Sequence, residues 1–128
     1  MDRETANNIL QKWVDILGLR DWRIKLVYNA LPCDMKLDRC DGETEWNECR
    51  KIACIRILDE KSYGDFIVGF NFERTLIHEL LHLKMSLMGE SGNDLQDRLV
   101  HQLIDDLARA FCEAAGGGKE TLQEFAEK

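Results

Sequence analysis

The residues best suited to chemistry are two histidines that stand four positions apart with a glutamate between them. His78, Glu79 and His82 form an H-E-x-x-H pattern. Residues four apart on an α-helix lie roughly 40° apart around the axis and about 6 Å apart along it, so both imidazoles can bind one metal ion. Glu79 points to the side of this pair, where its carboxylate can reach a metal-bound water molecule as a general base.

The alternative interpretation of this segment is an ordinary amphipathic helix that turns the same residues toward solvent. On a helical wheel of residues 75–88, the leucines, Ile77 and Met88 occupy one broad arc, and both histidines lie on the remainder. A solvated face is usually rich in lysine, arginine, glutamine and glutamate, whereas two of the three histidines of this chain fall at this spacing. The pattern therefore favours a metal site over a surface stripe.

A catalytic zinc site has three protein ligands and one open position, so a third ligand must lie elsewhere in the chain. The remaining histidine, His101, lies 19 residues after His82 on a second predicted helix. Asp97 is the rival, because both residues flank the apolar arc of that helix and periodicity does not separate them. The residues that form this arc are Leu99, Val100, Leu103, Ile104, Leu107, Phe111 and Ala114. We favour His101, because a lone surface histidine is otherwise unexplained. Asp105, one turn later, could orient a ligand imidazole through its second ring nitrogen.

These residues resemble the zincin metallopeptidases, in particular the gluzincin-like ones, whose third ligand comes from a separate helix after the motif. In that pattern the third ligand is usually a glutamate, followed four residues later by an aspartate that bonds a motif histidine. The matching pair here is His101 and Asp105, so this chain departs from the pattern at the third ligand. The chain also resembles the short, single-domain metallopeptidase-like proteins of phage and prophage genomes.

The resemblance implies a hydrolase, a zinc-dependent peptidase that holds one Zn²⁺ ion and acts on a protein or peptide substrate. Glu79 would take a proton from the attacking water and pass it to the departing amine. The alternative is a non-catalytic or regulatory metal-binding module that keeps the fold. The presence of Glu79 favours the peptidase, because a metal-dependent scaffold has no need of a base. Tyr28, Arg56 and Tyr63 are the candidates for an oxyanion partner, and the sequence does not separate them.

Composition and charge limit the kinds of protein this chain can be and the kinds of partner it can bind. The chain has 128 residues, 45% hydrophobic and 32% charged, which predicts one domain over residues 1–115, followed by a glycine-rich break and a short charged tail over 116–128. The net charge of −7 comes from scattered acidic residues, so we expect neither nucleic acid nor an anionic membrane as a partner. Residues 1–11 carry no apolar run, so we expect no secretory signal. No window of the sequence approaches the roughly 18 apolar residues of a membrane span, so we expect a cytoplasmic location.

The five cysteines do not form a recognisable framework. Their odd count in a chain expected to be cytoplasmic indicates reduced thiols. The first four lack the paired C-x-x-C spacing, so they do not predict a second zinc site. Cys112 falls on the last predicted helix, where we expect it to be a small buried residue.

The hydrophobic periodicity of the segments that position these residues predicts an α+β fold. We expect a minimal zincin-like arrangement with a mixed or antiparallel sheet of about three strands. We expect an N-terminal helix over 4–17 ended by Gly18, and strands over 22–28, 43–48, 51–58 and a short one over 66–70, with a candidate hairpin between 43–48 and 51–58. The motif helix should run from its N-cap Asn71 to a stop at Gly89, and a C-terminal helix should cover 94–115. Zincin-like folds usually bind an extended substrate at an edge strand, for which 51–58 is the candidate; a central position for that strand is the alternative.

Overall fold

The computed structural model describes residues 1–37, 40–64, 66–86 and 93–123. Within these ranges the chain forms three α-helices and one three-stranded mixed sheet. In chain order the elements are α1 (Arg3–Leu17), β1 (Arg23–Ala30), β2 (Gly42–Asn47), β3 (Ile52–Leu58), α2 (Phe72–Lys84) and α3 (Asp94–Ala114). The predicted α+β class, with an N-terminal helix, a small mixed sheet, the motif helix and a C-terminal helix, is therefore confirmed.

The sheet has the order β1-β3-β2, in which β3 pairs parallel with β1 and antiparallel with β2. The predicted hairpin is present, with Gly42 opposite Ile57 and Asn47 opposite Ile52. Two positions were open for residues 51–58, the edge and the centre of the sheet, and β3 lies in the centre. Hydrophobic alternation reports which faces of a strand are buried and carries no information about pairing in the plane of the sheet. The edge strand beside the motif helix is β2.

The hydrophobic core surrounds α2, which contacts α1, α3, β2 and β3. The described part of its apolar arc is buried as the periodicity predicts, and Leu87 and Met88 of that arc lie outside the described residues. Most core side chains with no more than 2% exposure come from the three helices and from β3. They include Ala6, Ile55, Ile57, Leu76, Ile77, Leu80, Leu83, Ile104, Ala108 and Cys112. The burial of Cys112 matches the expectation for a small apolar thiol.

The buried face of α3 differs from the predicted arc. Leu99 and Leu103 were expected in the core, but they are 55% and 49% exposed. The face that packs against α2 is instead centred on Ile104, Ala108 and Cys112. Small residues such as alanine and cysteine allow close approach of two helices, whereas a helical wheel ranks positions by side-chain hydrophobicity and ignores this. Compared with the prediction, α3 is therefore rotated about its own axis, which turns the side that carries His101 toward α2.

Local capping explains where the helices begin. The side chains of Asp2, Asn71 and Asn93 accept hydrogen bonds from the backbone N–H three residues later, which satisfies one free donor at each helix start. α1 ends at Gly18 in the left-handed region (φ 69°), as predicted. α2 ends at Lys84, and the predicted stop at Gly89 lies outside the described residues. Within the described ranges, no helix has both the length and the apolarity needed to cross a membrane.

The chain after α3 folds back beside the segment that precedes α2. Gly69 donates its backbone N–H to the carbonyl of Thr121 (2.7 Å), and Val68 and Leu122 form an isolated antiparallel bridge. The prediction that residues 66–70 form a strand of the sheet was wrong. These residues instead form the short pairing with the predicted tail. The structure describes the tail up to residue 123.

Replacing a core leucine of α2 tests this packing. Leu80→Ala removes a fully buried side chain and leaves a cavity, so we expect the free energy of unfolding to fall by about 2–5 kcal/mol. Leu99→Ala, the same substitution at an exposed position, should change it by less than about 0.5 kcal/mol. Urea unfolding followed by circular dichroism, with a chelator present, measures both variants. Equal losses at the two positions would contradict the burial described here.

Candidate metal centre

Two helices bring all three histidines of the chain together. His78 and His82 lie on successive turns of α2, and His101 projects from the first half of α3. One ligand atom from each histidine lies within 4.8 Å of the other two. The ring centroids are 5.1 Å apart for His78 and His82, 5.1 Å for His78 and His101, and 5.6 Å for His82 and His101. The three imidazoles therefore form a nearly equilateral cluster.

The spacing of this cluster fits a tetrahedral ion. Zn–N bonds of about 2.0–2.1 Å place the bonded nitrogens of a tetrahedral site about 3.4 Å apart. Side-chain rotations that move each nitrogen by about 1 Å would therefore bring the three histidines to this spacing. His78 and His82 are half-buried and His101 is exposed, which leaves one side of the cluster open to solvent. An open side is what a catalytic site needs for a substrate or water molecule.

The electrostatics of the cluster favour neutral, ligand-competent imidazoles. Burial, together with the neighbouring His78 and His101, lowers the pKa of His82 to about 4. Burial and His101 also lower the pKa of His78, against the opposing effect of Asp105 and Asp41. Since a metal binds the unprotonated nitrogen, both rings are in the binding form at neutral pH.

The two acidic residues weighed for this site occupy different places. Asp105 Oδ1 lies 3.4 Å from Nδ1 of His78, on the opposite helix. A carboxylate there directs the Nδ1 proton of His78 toward itself and leaves Nε2 for an ion. Asp97, the rival third ligand, lines the same cleft as the histidines. Within the described residues, the close group of potential ligand atoms consists of His78, His82 and His101.

Glu79 lies on the floor of the cleft and is only 5% exposed. Burial, followed by the negative charge of Asp41, raises the pKa of Glu79 to about 8, and Thr44 partly offsets the shift. The Thr44 hydroxyl is itself buried and forms no hydrogen bond of regular geometry with the described residues. Asp41 is fixed beside α2, where it accepts a hydrogen bond from the Thr75 hydroxyl at 3.1 Å.

A very short gap separates β2 from α2 at this point. A Cβ atom at Gly42 would stand 2.7 Å from Cγ2 of Thr75 and 3.3 Å from Cγ of Glu79. Glycine is therefore required at the start of β2 because the helix occupies the space of a side chain. The close approach places the β2 backbone against the buried carboxyl.

A cleft of about 1330 Å³ runs across the cluster and is large enough for several residues of an extended peptide. One wall is β2, including Thr44 and Trp46, and the opposite parts include His101 and Val100 of α3. Three large apolar side chains at the cleft are exposed, namely Leu37, Trp46 and Ile67. The cleft therefore combines a polar floor with an apolar rim.

The three oxyanion candidates from the sequence fall in different places. Tyr63 lines the cleft, and its hydroxyl donates a hydrogen bond to the backbone carbonyl of Val68. Arg56 instead donates to Glu43 at 3.3 Å and to Glu45 at 2.5 Å. Tyr28 packs against the hydrophobic core. Of the three, Tyr63 is the residue that lines the cleft.

Sequence reasoning missed several groups that line the cleft. Arg74, Asp41 and Thr44 lie beside the motif helix or on it. Arg74 precedes His78 by four residues, so the spacing that marks His78 and His82 would also have identified it. Asp41 and Thr44 come from a strand and its approach, and nothing in the sequence indicates that this strand borders α2.

No family model, curated protein or solved structure matches this chain. The resemblance to zincins therefore rests on the motif and remains a prediction.

The raised pKa of Glu79 predicts a pH-dependent stability of the metal-free protein. A carboxyl whose pKa rises on folding stabilises the fold below its unfolded pKa of 4.5, and this contribution disappears as pH rises through about 8. Glu79→Gln removes the dependence, so the variant should gain about 2–4 kcal/mol relative to the unmodified protein between pH 5 and pH 8.5. Urea unfolding in chelator at the two pH values measures this gain.

The matched control for this experiment is Glu48→Gln, the same substitution at an exposed position. A Glu79→Gln variant whose stability relative to the unmodified protein is the same at both pH values would show that the buried carboxyl is ionised throughout.

Proposed function

We propose that this chain is a zinc-dependent peptidase in which His78, His82 and His101 bind one Zn²⁺ ion. The observation that carries the proposal is the convergence of three imidazoles from two helices beside a buried carboxyl, within one cleft. Three neutral imidazoles are a suitable donor set for zinc and leave the ion its full double positive charge.

The chemistry would divide between the ion and Glu79. When bound, the ion lowers the pKa of a water molecule and polarises a substrate carbonyl. Glu79 accepts the proton of the attacking water at a carboxylate oxygen and then donates it to the departing amine. Its pKa of about 8 without a cation would fall beside a positive charge, which favours the ionised form that a base requires. A pKa near the working pH suits both halves of this proton transfer.

The remaining groups of the cleft would position the substrate. β2 ends the sheet on the side of the cleft, and its outer edge can accept an extended peptide by strand addition. Asp105 holds the His78 ring in one orientation, so it is a positioning residue.

Metal analysis tests the ligand set. The full chain purified without added zinc should contain about one equivalent of zinc, and His78→Ala should remove it. His101→Ala should lower the zinc affinity by at least about tenfold, because a neutral ligand is lost from the ion. Asp97→Ala, on the same helix and lining the same cleft, is the matched control and should retain zinc. Loss of zinc in Asp97→Ala with retention in His101→Ala would reverse the assignment of the third ligand.

Hydrolysis distinguishes the peptidase from a non-catalytic metal-binding module. Glu79→Gln keeps the shape of the side chain but removes the base, so it should retain zinc and lose at least about 100-fold in the rate of peptide hydrolysis. The measurement is mass-spectrometric detection of new termini in a complex peptide mixture. An unchanged rate in Glu79→Gln would disprove the role of this residue. Zinc binding without any cleavage by the unmodified chain would support the non-catalytic module.

A further inference from the structure

Arg74 is a buried cation in the same cleft as the histidine cluster. It precedes His78 by one turn of α2, about 6 Å along the helix axis, and its side chain is only 9% exposed. Its Nη2 donates a hydrogen bond to the backbone carbonyl of Gly69 at 3.2 Å. Its Nη1 is buried and forms no hydrogen bond of regular geometry with the described residues, although the Tyr63 hydroxyl interacts with the guanidinium. A buried guanidinium donor without a regular hydrogen bond lowers the stability of the folded protein, so its presence needs an explanation.

The acidic group paired with Arg74 is held only loosely. Glu120 Oε2 lies 4.0 Å from Nη1 of Arg74, and Glu120 Oε1 lies 3.8 Å from Nη1 of Arg109 on α3. Both separations exceed the length of a hydrogen bond, so the carboxylate is attracted by charge without directional bonds. Glu120 also lines the cleft, on the segment that folds back after α3. Two arginines thus face the Glu120 carboxylate, and neither forms with it the paired bonds that guanidinium groups favour. Arg109 donates a hydrogen bond to Asp106 at 3.2 Å instead.

We propose that Arg74 binds a carboxylate of the peptide substrate, and that Glu120 occupies this position in the free protein. The inference rests on the proposed function to the extent that it requires a peptide in the cleft. Substrate would displace Glu120 and give Nη1 the regular hydrogen bond it lacks, while the negative charge beside Arg74 is conserved. The shared chemistry is a carboxylate, supplied by an aspartate or glutamate side chain or by the substrate C-terminus.

The position of Arg74 limits where this carboxylate can lie. The guanidinium and the histidine cluster arise from adjacent turns of α2, and an extended peptide advances about 3.3 Å per residue. The recognised carboxylate therefore lies within about three residues of the bond at the cluster. Arg74 would act as a specificity-determining residue, distinct from the ligands and the base.

Peptide binding tests this site without requiring hydrolysis or zinc. The probes are short acetylated peptides of alanine, leucine and glutamine with an amidated end, a series with one glutamine changed to glutamate at each position, and the neutral peptide with a free C-terminal carboxylate. Titration calorimetry with the full-length Glu79→Gln protein measures affinity without turnover. At least one carboxylate peptide should bind about tenfold more tightly than the neutral amide. The better series identifies the source of the carboxylate.

Two substitutions in opposite directions separate substrate recognition from a structural role. In the Glu79→Gln background, Arg74→Gln should abolish the preference for carboxylate peptides. Glu120→Gln should strengthen it several-fold, because the internal competitor for Arg74 is gone. Arg50→Gln makes the same charge change at an exposed position in the β2–β3 turn and should leave the preference intact. If Arg74→Gln fails to fold, Glu120→Gln and the carboxylate-to-amide comparison carry the test.

Equal binding of charged and neutral peptides, or no binding of either, would overturn the proposal. A preference that Glu120→Gln leaves unchanged or weakens would also overturn it. Carboxylate-selective binding by a chain that hydrolyses nothing would support this site and refute the peptidase, so the two proposals fail separately.

Discussion

The packing of α2 against α3 is the contact on which the candidate centre depends. Ile104 and Ala108 of α3 are buried in the core that also encloses α2, and the small side chain of Ala108 allows close approach. His101, three residues before Ile104, is carried by that face to the pair on α2. The apolar contact therefore arranges the imidazoles before any ion is present, which reduces the ordering that binding would otherwise require.

The charges at the candidate centre would suit a bound cation. Burial lowers the pKa of His78 and His82 and raises the pKa of Glu79, so all three groups favour their neutral forms at neutral pH. Asp41 and Asp105 stand next to this neutral group and bring negative charge to it. A divalent cation would be stabilised by both, and its charge would allow Glu79 to ionise. Metal binding, proton release and stability are thus linked at one place.

Periodicity predicted the parts of the fold that depend on one segment at a time. It located each helix and the β2–β3 hairpin, and the i, i+4 spacing identified His78 and His82. It did not decide between an edge and a central place for β3. It failed where distant segments meet, namely in the pairing of residues 66–70 with the predicted tail and in the rotation of α3 that exposes Leu99. Hydrogen-bond partners in a sheet and the close approach of helices depend on backbone placement, which hydrophobic patterns do not encode. The carboxylate of Asp41, just before β2, and the hydroxyl of Thr44 on β2 were missed for the same reason.

The absence of a side chain at Gly42 has a consequence for proton affinity. Because β2 lies against α2 at van der Waals distance there, the backbone of position 42 takes up the volume in which water would otherwise solvate the Glu79 carboxyl. Any larger residue would separate strand from helix, admit solvent and raise the local dielectric constant. The basicity of Glu79 is therefore governed from a neighbouring strand by a residue that has no ionisable group.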